Sequence, residues 1–292
     1  MRRSFMGWPM TLTWAMCGGV PNASLAEPQR VRDRFWLFAC VAGADNEGWH
    51  LKRPSRMTPA EGAFYLGVPN LIMVCWKGKP APPYDQYAIP FRPLKQVVWS
   101  VVGSGGETAD RERKAVFALA ERTPNLTGIF MDDFFTNEGD KVAKLSSDEL
   151  RGLRKQGELA DRRLDLWVVL YTHQLDLPVQ EHLKLCDKVT LWTWRSADLE
   201  HLETNMARFE KLAGRSGKLL GLYMYDFGAK GEMPVDRMQR QCELGLQWLK
   251  EGRIEGMIFL ANTVADLDFE AVEWTRQWIA RVGDQPLPPH KK

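Results

Sequence analysis

Eight short, largely apolar runs recur along the chain, at 34–43, 71–76, 96–102, 126–131, 164–172, 188–194, 218–226 and 256–262. A run that is apolar at nearly every position is a strand covered on both faces, whereas a half-exposed strand alternates. Helical signals follow seven of the eight. Thr58-Pro59-Ala60-Glu61 is a capping box with proline at the first helical position. Ser146-Ser147-Asp148-Glu149 is a second capping box. Leu199, Leu202, Met206, Phe209 and Leu212 step by three and four. Buried strands alternating with amphipathic helices require a parallel sheet covered by helices. Eight such units in about 250 residues predict a single (β/α)8 barrel. The second helix is absent from the pattern. Pro80, Pro82, Pro83, Pro90 and Pro93 stand in its place, and that density of proline stops a helix. The rival fold, an open doubly wound sheet, calls for GxGxxG after the first strand, and Gly43-Ala44-Asp45-Asn46-Glu47-Gly48 is not that motif.

The first 26 residues read as an export signal and residues 27–292 as one barrel domain. Arg2 and Arg3 make a basic start, 5–20 is mostly apolar, and Ser24-Leu25-Ala26 is a small-residue cleavage site. Arg2-Arg3-Ser4-Phe5-Met6 is close to a twin-arginine signal. The expected location is therefore the periplasm or the exterior. Pro9, Gly18 and Gly19 interrupt the apolar stretch, so no membrane span is expected. Net charge of +2 gives no electrostatic basis for nucleic-acid binding. Cys40, Cys75, Cys186 and Cys242 form neither CxxC nor a Cys/His cluster, so no metal is expected. A Cys40–Cys75 disulfide is left open.

In a barrel of this kind the chemistry belongs at the C-terminal strand ends. The fourth run ends in Asp132-Asp133-Phe134-Phe135. A carboxylate on a hydrophobic strand is costly unless the strand is leaving the core. Strand alternation predicts that one of the two acids faces inward while the other braces a loop. The other ends contribute Asp45, Trp76, Tyr171, His173, Trp192, Trp194, Arg195, Tyr223, Tyr225, Asp226 and Asn262. Trp192 and Trp194, two apart, share a face. Gly103-Ser104-Gly105-Gly106 is read as a turn or, less simply, an anion cradle.

Large aromatics stack on the apolar faces of sugar rings, while carboxylates and amides bind hydroxyls. Hydrolysis of a glycosidic bond needs one protonated and one ionised carboxyl. Asp132 or Asp133 with Asp226 is the expected catalytic pair. Asp45, Trp76, Tyr171, His173, Trp192, Trp194, Arg195, Tyr223, Tyr225 and Asn262 are the expected sugar contacts. The structural alternative is that Asp226 only starts the turn into Phe227-Gly228.

On these residues the chain resembles the (β/α)8 glycoside hydrolases in the broad sense, along the whole of 27–292. That resemblance implies a catalytic carboxylate after strand four, matched by Asp132 or Asp133, and a second after strand six or seven, matched by Asp226. The Asn-Glu pair common on strand four of those enzymes is absent here. The expectation is an exported glycosidase acting on an oligo- or polysaccharide without cofactor or metal. The alternative is a non-catalytic carbohydrate-binding barrel.

Overall fold

The computed structural model describes residues 29–138 and 141–288; the expected export signal lies outside them. Eight parallel strands close into a barrel. They are β1 (Phe35–Ala39), β2 (Asn70–Met73), β3 (Gln96–Val102), β4 (Leu126–Met131), β5 (Asp165–Tyr171), β6 (Lys188–Trp192), β7 (Gly217–Tyr223) and β8 (Gly256–Leu260). Each pairs with its sequence neighbours, and β8 closes on β1 through Phe35–Met257 and Phe38–Leu260. The ring order corrects the expectation, behind the pairing of Asp132 or Asp133 with Asp226, that strands four and seven face each other across the barrel mouth. β4 lies three strands from β7, and the strand directly across from it is β8.

Around the barrel lie α1 (Pro59–Leu66), α2 (Asp110–Ala120), α3 (Ser147–Gln156), α4 (Gln180–Leu183), α5 (Leu202–Ala213), α6 (Val235–Lys250), α7 (Asn262–Ala265) and α8 (Glu270–Val282). Both capping boxes form: Thr58 and Glu61 start α1, and Ser146 and Glu149 start α3. The proline segment after β2 holds only a 3-10 turn, Ile89–Phe91. Its aromatics Tyr84, Tyr87 and Phe91 pack on Trp99, on the outer face of β3, doing the covering that a helix does elsewhere. Between β5 and β6 the covering helix, α4, is a single turn. Phe269, not Asp268, holds the N-cap position of α8. The Asp268 carboxylate instead pairs with Arg53 at 2.5 Å. Two short antiparallel ribbons are added at the top: Phe135–Glu138 with Lys141–Ala143, and Tyr225–Asp226 with Gly231–Glu232.

The barrel interior is a stack of aromatic layers. Trp36 meets Trp167 edge-on at 4.8 Å. Above them Phe38 contacts Phe130 at 6.0 Å and Trp192 at 5.7 Å. Rings this large need space opposite them, and two glycines provide it. A Cβ at Gly221 would lie 2.1 Å from the Trp192 ring, and one at Gly128 would lie 3.1 Å from the Trp167 indole nitrogen. Because interior side chains alternate along each strand, Gly128, Phe130 and Asp132 form one inward row, and Asp132 is the first of that row above the apolar fill.

Candidate active site

A cavity of about 250 Å³ opens above the aromatic layers. Every strand contributes to it at its C-terminal end or in the loop that follows. Asp45 and Trp49 come from the loop after β1, Trp76 from the end of β2, and Ser104 and Gly105 from the loop after β3. Asp132 and Asp133 follow β4, and Tyr171 ends β5. Trp192 and Trp194 come from β6, and Tyr223 and Phe227 from β7. Leu260 ends β8, and Ala261 follows it through a cis peptide. Its volume lies just below the range of ligand pockets, which starts at about 300 Å³.

Both strand-four acids line the cavity, which departs from the expected alternation. The reason is local. β4 ends at Met131, and Asp133 sits in the left-handed region at φ 43°. A non-glycine residue there is strained and turns its side chain off the strand register. Asp133 still braces a loop, since its Oδ2 accepts from the Gly105 amide at 2.7 Å. Its Oδ1 accepts from the Tyr171 hydroxyl at 2.6 Å.

Asp132 is 4% exposed. Burial pushes its carboxyl well above the usual Asp range, the negative charge of Asp133 adds to the rise, and the Asp133 backbone amide opposes it. Asp45 is also raised by burial, against hydrogen bonds from Thr263 and Trp49. Burial, together with the nearby Asp132 and Asp133, drives the Tyr171 and Tyr223 hydroxyls far up, so both remain hydrogen-bond donors. The aromatic wall is continuous: Trp194 contacts Tyr171 at 6.1 Å, Tyr223 at 5.7 Å and Trp49 at 6.0 Å.

Of the residues expected from sequence, Asp45, Trp76, Asp132, Asp133, Tyr171, Trp192, Trp194 and Tyr223 converge on this cavity. Five do not line it. Asp226 is 3% exposed and sits in the ribbon after β7. Its Oδ2 accepts from the Ser196 amide at 2.9 Å and its Oδ1 from the Ala229 amide at 2.8 Å, so it ties the β6 and β7 loops together. Tyr225 donates to the Trp49 carbonyl at 2.5 Å and thereby fixes the loop that carries that indole. Asn262 clamps β1 to β8, exchanging two 3.0 Å hydrogen bonds with the Cys40 backbone. His173 is exposed and stacks on Tyr171, outside the lining. Arg195 is exposed beside Gly228. Cys40 and Cys75 are buried free thiols, so the disulfide left open is absent.

Phe38, Cys40, Trp49, Ser104, Gly105, Phe227, Leu260 and Ala261 line the cavity without having been expected. A strand that is apolar at every position carries no sign of which residues point inward, and this hid Phe38 and Leu260. Trp49 lay too far into a loop for strand reasoning to place it.

No family model and no curated protein sequence matches the chain. Solved structures do. Active domain 2 of a thermostable chitinase from Pyrococcus furiosus, complexed with chito-oligosaccharides, aligns with a TM-score of 0.53 at 12% identity, covering 88% of this chain and 98% of its own. A GH18 chitinase from Pseudoalteromonas aurantia aligns with a TM-score of 0.53 at 13% identity, covering 85% and 99%. YKL-39, solved in the presence of chitooligosaccharides, aligns with a TM-score of 0.53 at 10% identity, covering 84% and 98%. The chain has the barrel found in glycoside hydrolases. At these identities the likeness is one of fold, and function rests on the cavity.

Proposed function

We propose that the chain is a glycoside hydrolase that binds a sugar unit in the aromatic-walled cavity, with Asp132 as its proton donor. The observation that carries this reading is Asp132 itself, a carboxyl buried beside a second carboxylate and raised well above the usual Asp range by that burial. General acid catalysis needs such a group near neutral pH. In the step, the Asp132 proton passes to the glycosidic oxygen as the bond from that oxygen to the anomeric carbon breaks. Water bonds to the same carbon, and its proton passes to Asp133. The net change is addition of one water across the bond. Trp76 and Trp194 offer faces for the ring, and Tyr223 offers a hydroxyl donor.

One observation favours the alternative of a non-catalytic sugar-binding barrel: both Asp133 oxygens are already engaged by fixed donors. Turnover of a panel of oligosaccharides by the wild type and by Asp132→Asn separates the two. For the hydrolase, the variant loses about 10²–10⁴ in kcat and keeps its sugar affinity. Sugar binding by the wild type with no bond cleavage on any substrate establishes the binding-protein reading.

A further inference from the structure

The described cavity wall carries acids and no bases. Asp45, Asp132 and Asp133 line it, and no Lys, Arg or His is among its described lining residues. Two lysines sit on its outer rings: Lys77 lies 5.1 Å from the Trp76 ring centre and Lys230 lies 5.6 Å from that of Trp49. A site built for a uronic acid or a sugar phosphate would present a cation to the anion. This one would repel it.

Asp45 makes the point most directly. It enters from the β1 loop, three strands round the ring from Asp132, and its side-chain partners are the neutral Thr263 hydroxyl and Trp49. A half-buried carboxylate with neutral partners gains most from a cation arriving with the ligand. The indoles beside it offer negative ring faces to the same cation.

We propose that the sugar unit bound in this cavity carries a protonated amine, so that the substrate is a glycoside of an unacetylated 2-amino sugar, with Asp45 as the ammonium's partner. This rests on the carbohydrate reading above and narrows it. Acetylation would remove the charge and add bulk. A neutral hexose would leave Asp45 without its counter-ion.

The test compares three tetrasaccharides binding to the full chain carrying Asp132→Asn, by calorimetry at pH 6. They are a glucosamine oligomer, its fully N-acetylated form and a glucose oligomer; a galactosamine oligomer checks the epimer. The amino form is expected to bind at least 10-fold more tightly than the other two. Raising salt should weaken that preference. Asp45→Asn should reduce affinity for the amino form about 10-fold more than affinity for the glucose oligomer. Equal or tighter binding of the acetylated or neutral oligomer overturns the proposal, as does no binding of any. Because the comparison is between ligands, a poorly folding Asp45 variant does not weaken it. Amine-selective binding without wild-type turnover would overturn the hydrolase reading and leave this one standing. Turnover restricted to neutral sugars would do the reverse.

Discussion

The Tyr171 hydroxyl donates to Asp133 Oδ1 at 2.6 Å and so links the end of β5 to the turn after β4. The bond holds Asp133 in its left-handed conformation from one side, while the Gly105 amide holds it from the other. A hydrogen bond to a charged group contributes about 1.5–3 kcal/mol. If Asp133 takes a proton in the reaction, Tyr171→Phe should lower kcat/KM by roughly 10–100-fold, with a smaller change in KM. Steady-state kinetics on the preferred oligosaccharide check this; a change confined to KM would mean that Tyr171 only contacts the sugar.

The charge of Asp133 also sets the pH range of its neighbour. Burial is the main cause of the raised Asp132 carboxyl and the negative charge of Asp133 is the second. Asp133→Asn removes that charge, so Asp132 ionises at lower pH. Activity that needs the Asp132 proton is lost as pH rises through this ionisation. The alkaline limb of the kcat/KM profile should therefore move to lower pH in the variant, whatever residual rate it keeps. A limb that stays in place would assign the acid to another group.

The barrel was legible because its signals repeat. Eight apolar runs, two capping boxes that form as written and a proline-dense gap where no helix fits are all local features. The acids after β4 were legible because carboxylates after a buried strand have few places to be. The failure at Asp226 came from geometry that is not local. The sequence of β7 shows an acid after an apolar run, but not the ribbon that turns Asp226 toward the Ser196 and Ala229 amides. Alternation also failed at Asp133, because it holds only while the strand lasts, and β4 ends two residues earlier. Asn262 looked like a ligand contact for the same reason as Asp45; only the β1–β8 junction distinguishes them.

Holding Asp132 protonated has a cost in stability with a defined sign. An unfolded Asp ionises near its ordinary value of 3.8, whereas the folded Asp132 keeps its proton to higher pH. Between those two values the folded state binds more protons, so stability falls as pH rises, by about 1.4 kcal/mol for each pH unit separating them. Asp132→Asn removes this term. The variant should melt higher than the wild type at pH 7, and the gap should close as pH falls toward 4. Thermal melts across pH 4–8 check it. A variant less stable at pH 7 would show that the carboxyl gives the fold more than its burial takes away.

Asp226 gives the sharpest division between what the chain spells and what the fold does with it. Both its oxygens accept backbone amides, one from the loop after β6 and one from within its own turn. Both bonds bear on a charged acceptor that is 3% exposed. Replacing the side chain with alanine leaves two part-buried amides without their carboxylate acceptor, at up to about 1–3 kcal/mol each. Those loops carry Trp194 and Phe227 into the cavity wall. Asp226→Ala should therefore lower the melting temperature and weaken sugar binding. Asp226→Asn keeps one acceptor oxygen and should retain turnover within about threefold at a temperature where it is folded, since 0.65 kcal/mol is roughly that factor. A well-folded Asp226→Asn that binds sugar and has lost about 10³-fold or more in kcat, the scale of a missing acid–base group, would restore Asp226 as the second catalytic carboxylate.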